Sequence, residues 1–244
     1  GDVFTFVMKT DGLGFGEALR HLAERANIQL PHREYDPAEK GEKARLYEVN
    51  AWAAESFHRC LVERPIGKAA LDYLLGRGLT LDTLKLFRIG YAPDSWDALA
   101  KGGARKGYDE EVLTRAGLLS VSDQSDRRYD RFRNRIIFPI YDAQDRVIGF
   151  GARCLDGSEP KYLNSPETPL FSKGRTLYAI DRARTALREE RKAIIVEGYM
   201  DAVMAHQHDA RHVVGVLGTA LSRDHVRVLR RFVDEAILLF DADN

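Results

Sequence analysis

Cysteine is scarce, with only Cys60 and Cys154 among 244 residues. Two thiols so far apart argue against a C-x₂-C zinc pair and against a disulfide framework, and a reducing, cytoplasmic setting fits them best. An excess of either charge is also missing. Lys and Arg number 37, as do Asp and Glu, for a formal net charge of zero. No global field draws the chain toward nucleic acid, so any such binding must come from local patches. Long hydrophobic runs are absent too, since no apolar stretch approaches the about 18 residues of a membrane span. The opening GDVFTFVMKT lacks the basic flank and long apolar core of a signal peptide, and no membrane partner is expected. There is no internal repeat and no low-complexity tract. The chain opens without Met and stops just after a D-x-D motif, so it reads as a fragment. The remaining composition, 44% hydrophobic and 30% charged, suits a globular protein with one or two cores.

Most of the chemistry lies in residues 193–243. Three short apolar runs, AIIV, VVGVL and AILLF, alternate there with two helix-length patterns. Such runs read as parallel strands buried on both faces, and ligands of such sheets bind outside the carboxyl ends of the strands. Glu197 closes the first run, and Asp241 and Asp243 follow the third. One sheet edge is therefore expected to carry a carboxylate from one strand end and an acidic pair from another. Alternate residues of an extended segment point the same way, so Asp241 and Asp243 share a face. Oxygen donors in that arrangement suit Mg²⁺ and phosphoryl transfer. Asp201 lies one helical turn beyond Glu197. It reads either as a further acid of that site or as an ordinary acid in a helix's first turn. Gly218 follows VVGVL and permits close backbone approach with free N–H groups for an anion. Ser222 is the expected N-cap of the next helix. The seven histidines, His206, His208 and His212 among them, show no metal-ligand spacing and read as surface or helix-face residues.

Upstream, residues 13–28 carry an apolar helical stripe at Phe15, Ala18, Leu19, Leu22, Ala23 and Ala26. A polar stretch with two prolines, QLPHREYDPAEKG, reads as a linker. A second helix is expected from about Glu42 to Val62, and shorter ones over 66–75, 80–87 and 108–116. RIIFPIYD and RVIGFGARC read as a hairpin. RRYDRFRNR precedes it with five arginines and one aspartate in residues 127–135. A loop rich in Gly, Pro, Asn and Lys, residues 157–175, leads into the final α/β segment.

V-E-G-Y-M-D, then L-G-T-A, then F-D-x-D form the signature series of the TOPRIM domain, and this wording resembles bacterial DnaG-type primases. GDVFTFVMKTDGLGFGEALRHLAERANI is similar to the segment that closes the primase zinc-binding domain. ALDYLLGRGLTLDTLKLFRIGYAPDSWDAL resembles the start of the RNA-polymerase core. RFRNRIIFPIYDAQDRVIGFGARCL and PKYLNSPETPLFSKGRTLYAID resemble the family's basic and loop motifs. The resemblance implies an α+β fold: a mainly helical amino-terminal region, a mixed sheet, and a partial TOPRIM unit of Rossmann-like α/β form. It divides the chain into a zinc-domain tail (1–28), a linker (29–41), the amino-terminal part of the catalytic core (42–180) and a truncated TOPRIM domain (181–244).

By position, the resemblance makes Glu197, Asp241 and Asp243 catalytic and metal-binding acids, with Asp201 another acid of the site. Arg153, Lys161 and Lys173 become basic residues that touch template or nucleotide phosphates. Lysine is a point charge suited to phosphate, and arginine binds it bidentately. Arg135 and the other arginines of 127–135 would continue this track along single-stranded template, although Arg127, Arg128 and Arg131 also suit a solvated face. Gly218 would cradle phosphate. Tyr162 and Asn164 read as base contacts, while Asn-Ser-Pro is equally a turn signal.

The implied activity is synthesis of short RNA primers on single-stranded DNA from NTPs, with Mg²⁺ or Mn²⁺, in the bacterial cytoplasm. Zinc would belong only to an absent amino-terminal ribbon, and the replicative helicase to an absent carboxyl-terminal region. Ala242 stands where the family usually has Gly. Without the later acidic motif, the fragment is expected to be weak or inactive alone. Two other readings remain: a different TOPRIM enzyme, a nuclease or topoisomerase, and a non-catalytic DNA-binding module.

Overall fold

The computed structural model describes residues 2–10, 15–26, 37–122, 124–218 and 220–240, in two compact units that divide after Gly41. In the first, α1 (Val3–Thr10) and α2 (Phe15–Arg25) pack on each other. Asp2 starts α1 by accepting the Thr5 N–H and hydroxyl, each at 2.8 Å. Those bonds hold its carboxyl below the ordinary range. Ala18 and Ala23 are buried, as the stripe in α2 requires. The long helix α3 (Pro37–Glu63) begins inside the stretch read as a linker. Proline suits a first helical position, where its missing N–H has no partner to lose. Leu46, Val49, Ala53, Phe57 and Cys60 of α3 are buried on one face.

Short elements follow: α4 (Lys68–Gly76), α5 (Leu81–Leu86), β1 (Gly90–Ala92), α6 (Ala98–Arg105) and α7 (Glu110–Arg115). The Thr80 and Asp109 side chains accept backbone N–H groups at the starts of α5 and α7. A hairpin of β2 (Leu119–Ser122) and β3 (Ser125–Asp130) leads into β4 (Arg135–Tyr141), β5 (Val147–Cys154) and β6 (Tyr162–Asn164). The last segment is α8 (Ile180–Glu190), β7 (Lys192–Val196), α9 (Tyr199–Gln207), β8 (Val213–Gly215), α10 (Arg223–Leu229) and β9 (Glu235–Leu239). Among the described residues, no helix is long and apolar enough to cross a membrane.

Strands β1, β4, β5 and β6 form an antiparallel sheet in the order β1-β4-β5-β6. Every residue of β4 is buried, because both faces of this sheet are covered. Ile136, Phe138 and Ile140 pack with Leu84, Phe87 and Tyr199. Ile137 and Tyr141 point the other way, into the cluster that holds Leu46, Phe57 and Leu113. At Gly90, a Cβ would stand 2.6 Å from Phe57 of α3, so only glycine permits that approach. The parallel strands form a second sheet, β8-β7-β9. The mixture of strand directions therefore lies between sheets. Ala193, Ile195 and Val214 pack with Ala183 and Leu187 of α8, while Val196 and Val213 join Ala202 and Val203 of α9.

Two histidines depart from the surface reading. His206 is 9% exposed and lies edge-on to Phe87, with ring centroids 5.5 Å apart. Its Nε2 is 2.8 Å from the Val213 carbonyl, and burial pushes its pKa down. The helix that carries it lies over the sheet, so an imidazole both fills space there and meets a strand-end carbonyl. His225 is fully buried.

Asp181, at the start of α8, is also buried and faces the Arg182 guanidinium at 3.0 Å without hydrogen-bond alignment. Burial raises its pKa from 3.8 to about 6, against the opposing pull of Arg182. A carboxyl whose folded pKa exceeds its unfolded value takes up a proton on folding between those two values. Wild-type stability measured against Asp181→Asn is therefore expected to rise as pH falls from about 7 toward 4. The full change would be about 3 kcal/mol, at 1.36 kcal/mol per pKa unit. Urea denaturation of both proteins across that range checks it, and a difference independent of pH would contradict it.

Candidate functional site

β7 delivers its chain to the sheet edge at Glu197, which is exposed and has no hydrogen-bond or ion-pair partner among the described residues. The parallel register sets Val196 of β7 beside Leu239 of β9, so the chain leaving β9 does so at the same edge. Asp241 and Asp243, which follow, lie outside the described residues. Gly198 starts α9, and a Cβ there would stand 2.5 Å from Asp201 Oδ2. Glycine thus lets the Asp201 carboxylate fold back over the start of α9. From β8 the chain reaches Gly218, whose φ of +67° places it in the left-handed region with open space around it. Among the described residues, no set of three His, Cys, Asp or Glu is grouped to hold a metal ion.

Tyr199, two residues after Glu197, joins this edge to the antiparallel sheet. Its ring stacks on Phe138 at 5.2 Å and meets Tyr178 edge-on at 4.9 Å. It lies flat against Gly151, where a Cβ would come within 2.1 Å of the ring. The phenol donates to Asn164 Oδ1 at 2.5 Å, and Asn164 Nδ2 donates to the Leu217 carbonyl at 2.8 Å. The Asn164 amide therefore binds Tyr199 and the turn before Gly218. A base contact would compete with those bonds. Arg135 also departs from the expected nucleic-acid role. It is 7% exposed and donates to the Pro160 carbonyl at 2.8 Å, because β4 is covered on both faces. Arg131 donates to the Asn164 carbonyl at 2.9 Å and to Ser120 Oγ at 3.3 Å, which pins the β2–β3 hairpin beside β6. Burial lowers its pKa.

Comparison with known proteins gives this geometry its family. The pattern described as DNA primase catalytic core, N-terminal domain, matches residues 57–184, and the Toprim domain matches residues 191–244. The DNA primase of Deinococcus radiodurans is 48% identical over the whole chain, which covers 41% of that protein. The chain belongs to the DnaG-type DNA primase family. A DNA primase domain from Pseudomonas aeruginosa is 43% identical, with a TM-score of 0.77 over 82% of this chain and 62% of that one. A DnaG primase catalytic domain solved bound to single-stranded DNA is 39% identical, with a TM-score of 0.76 over 84% and 63%.

In this primase chain the basic residues expected near the acids fall into two groups. Arg153 lies 3.5 Å from the Tyr162 hydroxyl, its guanidinium 5.4 Å from the Tyr73 ring centroid and 5.7 Å from that of Tyr162. Lys161 Nζ lies 5.9 Å from the same Tyr162 ring. Burial raises the Tyr162 pKa, Arg153 opposes it, and the Asp201 charge adds to it. Tyr162 therefore feels both the basic and the acidic group. Lys173 heads a separate turn, where its N–H donates to Glu167 Oε1 at 2.9 Å.

Sequence reading missed an aromatic platform at Trp96, which is 60% exposed. The Arg133 guanidinium lies 4.0 Å from the Trp96 ring centroid and 5.1 Å from that of Tyr129. Asp130 fixes this corner. Its N–H donates to the Trp96 carbonyl at 2.8 Å, and its buried carboxylate accepts the Leu99 and Ala100 N–H groups of α6 at 2.6 and 3.0 Å. Ser95, Trp96, Arg127, Arg128 and Tyr129 line a cleft of about 670 Å³ here. Trp96 stands three residues after Pro93 and far ahead of the arginine run at Arg127, so no local pattern joined the two.

Replacing Asn164 by alanine would leave the Tyr199 hydroxyl and the Leu217 carbonyl without their partner. The expected loss is about 1–3 kcal/mol of stability, the range for an unpaired buried polar group. Urea denaturation measures it, and a loss below about 0.5 kcal/mol would show that the junction does not depend on this amide.

Proposed function

We propose that the protein containing this chain synthesises short RNA primers on single-stranded DNA by template-directed nucleotidyl transfer, in the bacterial cytoplasm. The observation that carries this reading is the exposed Glu197 at the end of β7, on the edge where β9 also ends, with Asp201 in the first turn of the next helix and Asp241 and Asp243 following β9 in sequence. These donors are all carboxylates, which suits a hard divalent cation such as Mg²⁺ or Mn²⁺. Asp241, Asp243, Asp201 and Glu197 would hold it. When bound, such an ion neutralises triphosphate charge and lowers the pKa of an attacking hydroxyl.

The chain's own residues do the remaining work. Glu197 accepts the proton of the primer 3′-hydroxyl as its oxygen bonds to the α-phosphorus of the incoming NTP and pyrophosphate leaves. Arg153, Lys161 and Lys173 hold phosphates. The turn at Gly218 allows backbone N–H groups to approach an anion. Template bases stack on Trp96 and Tyr129, while Arg127 and Arg128 meet the backbone. NTPs, template and RNA product are thus the ligands of this chain. The replicative helicase would dock on another region of the protein.

Ribonucleotide incorporation on single-stranded DNA with Mg²⁺ or Mn²⁺, measured with the full-length protein, tests this. Glu197→Gln is expected to lower the rate by about 10²–10⁴-fold, the range for a lost general base. DNA cleavage without incorporation would assign the acids to a nuclease or topoisomerase instead. Trp96→Ala is expected to weaken single-stranded DNA binding by about 1–3 kcal/mol per stacked base. Arg127→Ala is expected to lower the salt slope of binding by about 0.7. Fluorescence anisotropy over a salt series reads both, and unchanged binding would remove the platform from the template path.

A further inference from the structure

Lys173 can meet a phosphate reproducibly only if its backbone is held in place. The Lys173–Arg175 segment is a single 3₁₀ turn that contains Gly174, with no side-chain cap of its own. Its restraint comes from elsewhere. Glu167 accepts the Lys173 N–H at 2.9 Å. On the opposite side stands His225, fully buried in the first turn of α10. Ser222 N–H donates to His225 Nδ1 at 3.1 Å, which makes Nδ1 an acceptor and puts the ring hydrogen on Nε2. Nε2 then donates to the Lys173 carbonyl at 2.8 Å and to the Thr176 carbonyl at 3.1 Å. The Ser222 hydroxyl accepts the His225 N–H at 3.0 Å and donates to the Gly174 carbonyl at 2.5 Å.

We propose that His225 is a positioning residue, one that clamps the Lys173–Thr176 turn onto the start of α10 and so aims the Lys173 ammonium at the triphosphate. This rests on the primer-synthesis reading for its functional half. A capping-box residue needs only to reach back to its own N-cap, as Glu or Gln does at this position. The imidazole makes that contact with Nδ1 and also offers Nε2 to carbonyls of a different loop. The N-cap Ser222 is only four residues beyond Gly218, so the clamp also ties the lysine turn to the glycine turn at the strand edge.

Three variants of the full-length protein test it. His225→Asn keeps an acceptor for Ser222 N–H and removes the reach to Lys173. His225→Gln keeps both contacts. Lys173→Ala removes the ammonium. Trypsin is expected to cut after Lys173 and Arg175 at least about tenfold faster in His225→Asn than in wild type, with His225→Gln close to wild type. KM for NTP is expected to rise about tenfold in His225→Asn, with kcat changed less. Added to Lys173→Ala, His225→Asn is expected to raise KM no further, since both act through one contact. Thermal melting confirms that each variant folds. If His225→Asn does not, Ser222→Ala, which loses the Gly174 contact, takes its place in the cleavage assay.

Equal cleavage in wild type and variant would overturn the clamp, whatever the activity. A KM unchanged in His225→Asn, or fully additive with Lys173→Ala, would overturn its functional role. Wild-type protein that incorporates no ribonucleotide would sink the primer-synthesis reading alone, because the cleavage comparison still judges the clamp.

Discussion

The ring of Tyr199 lying flat on Gly151 is the contact on which the arrangement of the second unit depends. One side of that ring meets a backbone with no side chain, and Phe138 stacks against it at 5.2 Å. Any side chain at residue 151 would lift α9 off the antiparallel sheet. Because Tyr199 follows Glu197 by two residues, lifting it would displace the acidic edge as well. The phenol's bond to Asn164 extends the constraint to β6, and the second bond of Asn164 extends it to the turn before Gly218. A packing contact and two hydrogen bonds thus set the spacing between the basic strands and the acidic strand ends.

Several polar side chains hold backbone, among them two arginines, Arg135 and Arg131, that the arginine run suggested for template. Arg135 binds Pro160, Arg131 binds the Asn164 carbonyl, Asp130 binds α6, and His225 binds the lysine turn. Each satisfies carbonyl or N–H groups of a segment with few internal hydrogen bonds. The long loop between β5 and α8 has little regular structure, so its shape is set largely by such contacts. Glu197, Lys161, Arg127 and Trp96, by contrast, are left exposed.

The parallel strands and their helices were legible because apolar runs of strand length, spaced by helix-length patterns, admit few arrangements. The helical stripe of α2 and the buried face of α3 were legible for the same reason. α6 was not, since ALAKGGAR has two glycines and a weak apolar pattern, and its start is capped by Asp130 from a distant strand. Periodicity is silent about such a contact. The apolar run put Glu197 at a strand end, where it stands, but spacing does not say whether an arginine faces solvent or a carbonyl. Arg135 and Asn164 were read as ligand contacts because their partners, Pro160, Tyr199 and Leu217, are set by the meeting of two sheets. His206 and His225 were missed as buried residues for the same reason: an imidazole between two backbone segments leaves no periodic signature.

The parallel pairing of β7 with β9 also bears on the order of assembly. Antiparallel neighbours such as β4 and β5 are joined by a tight turn, whereas α9, β8 and α10 all lie in the chain between β7 and β9. Contacts between residues so distant in sequence form late and slowly. The strand end that carries Glu197 therefore reaches the edge it shares with β9 only at a late closure.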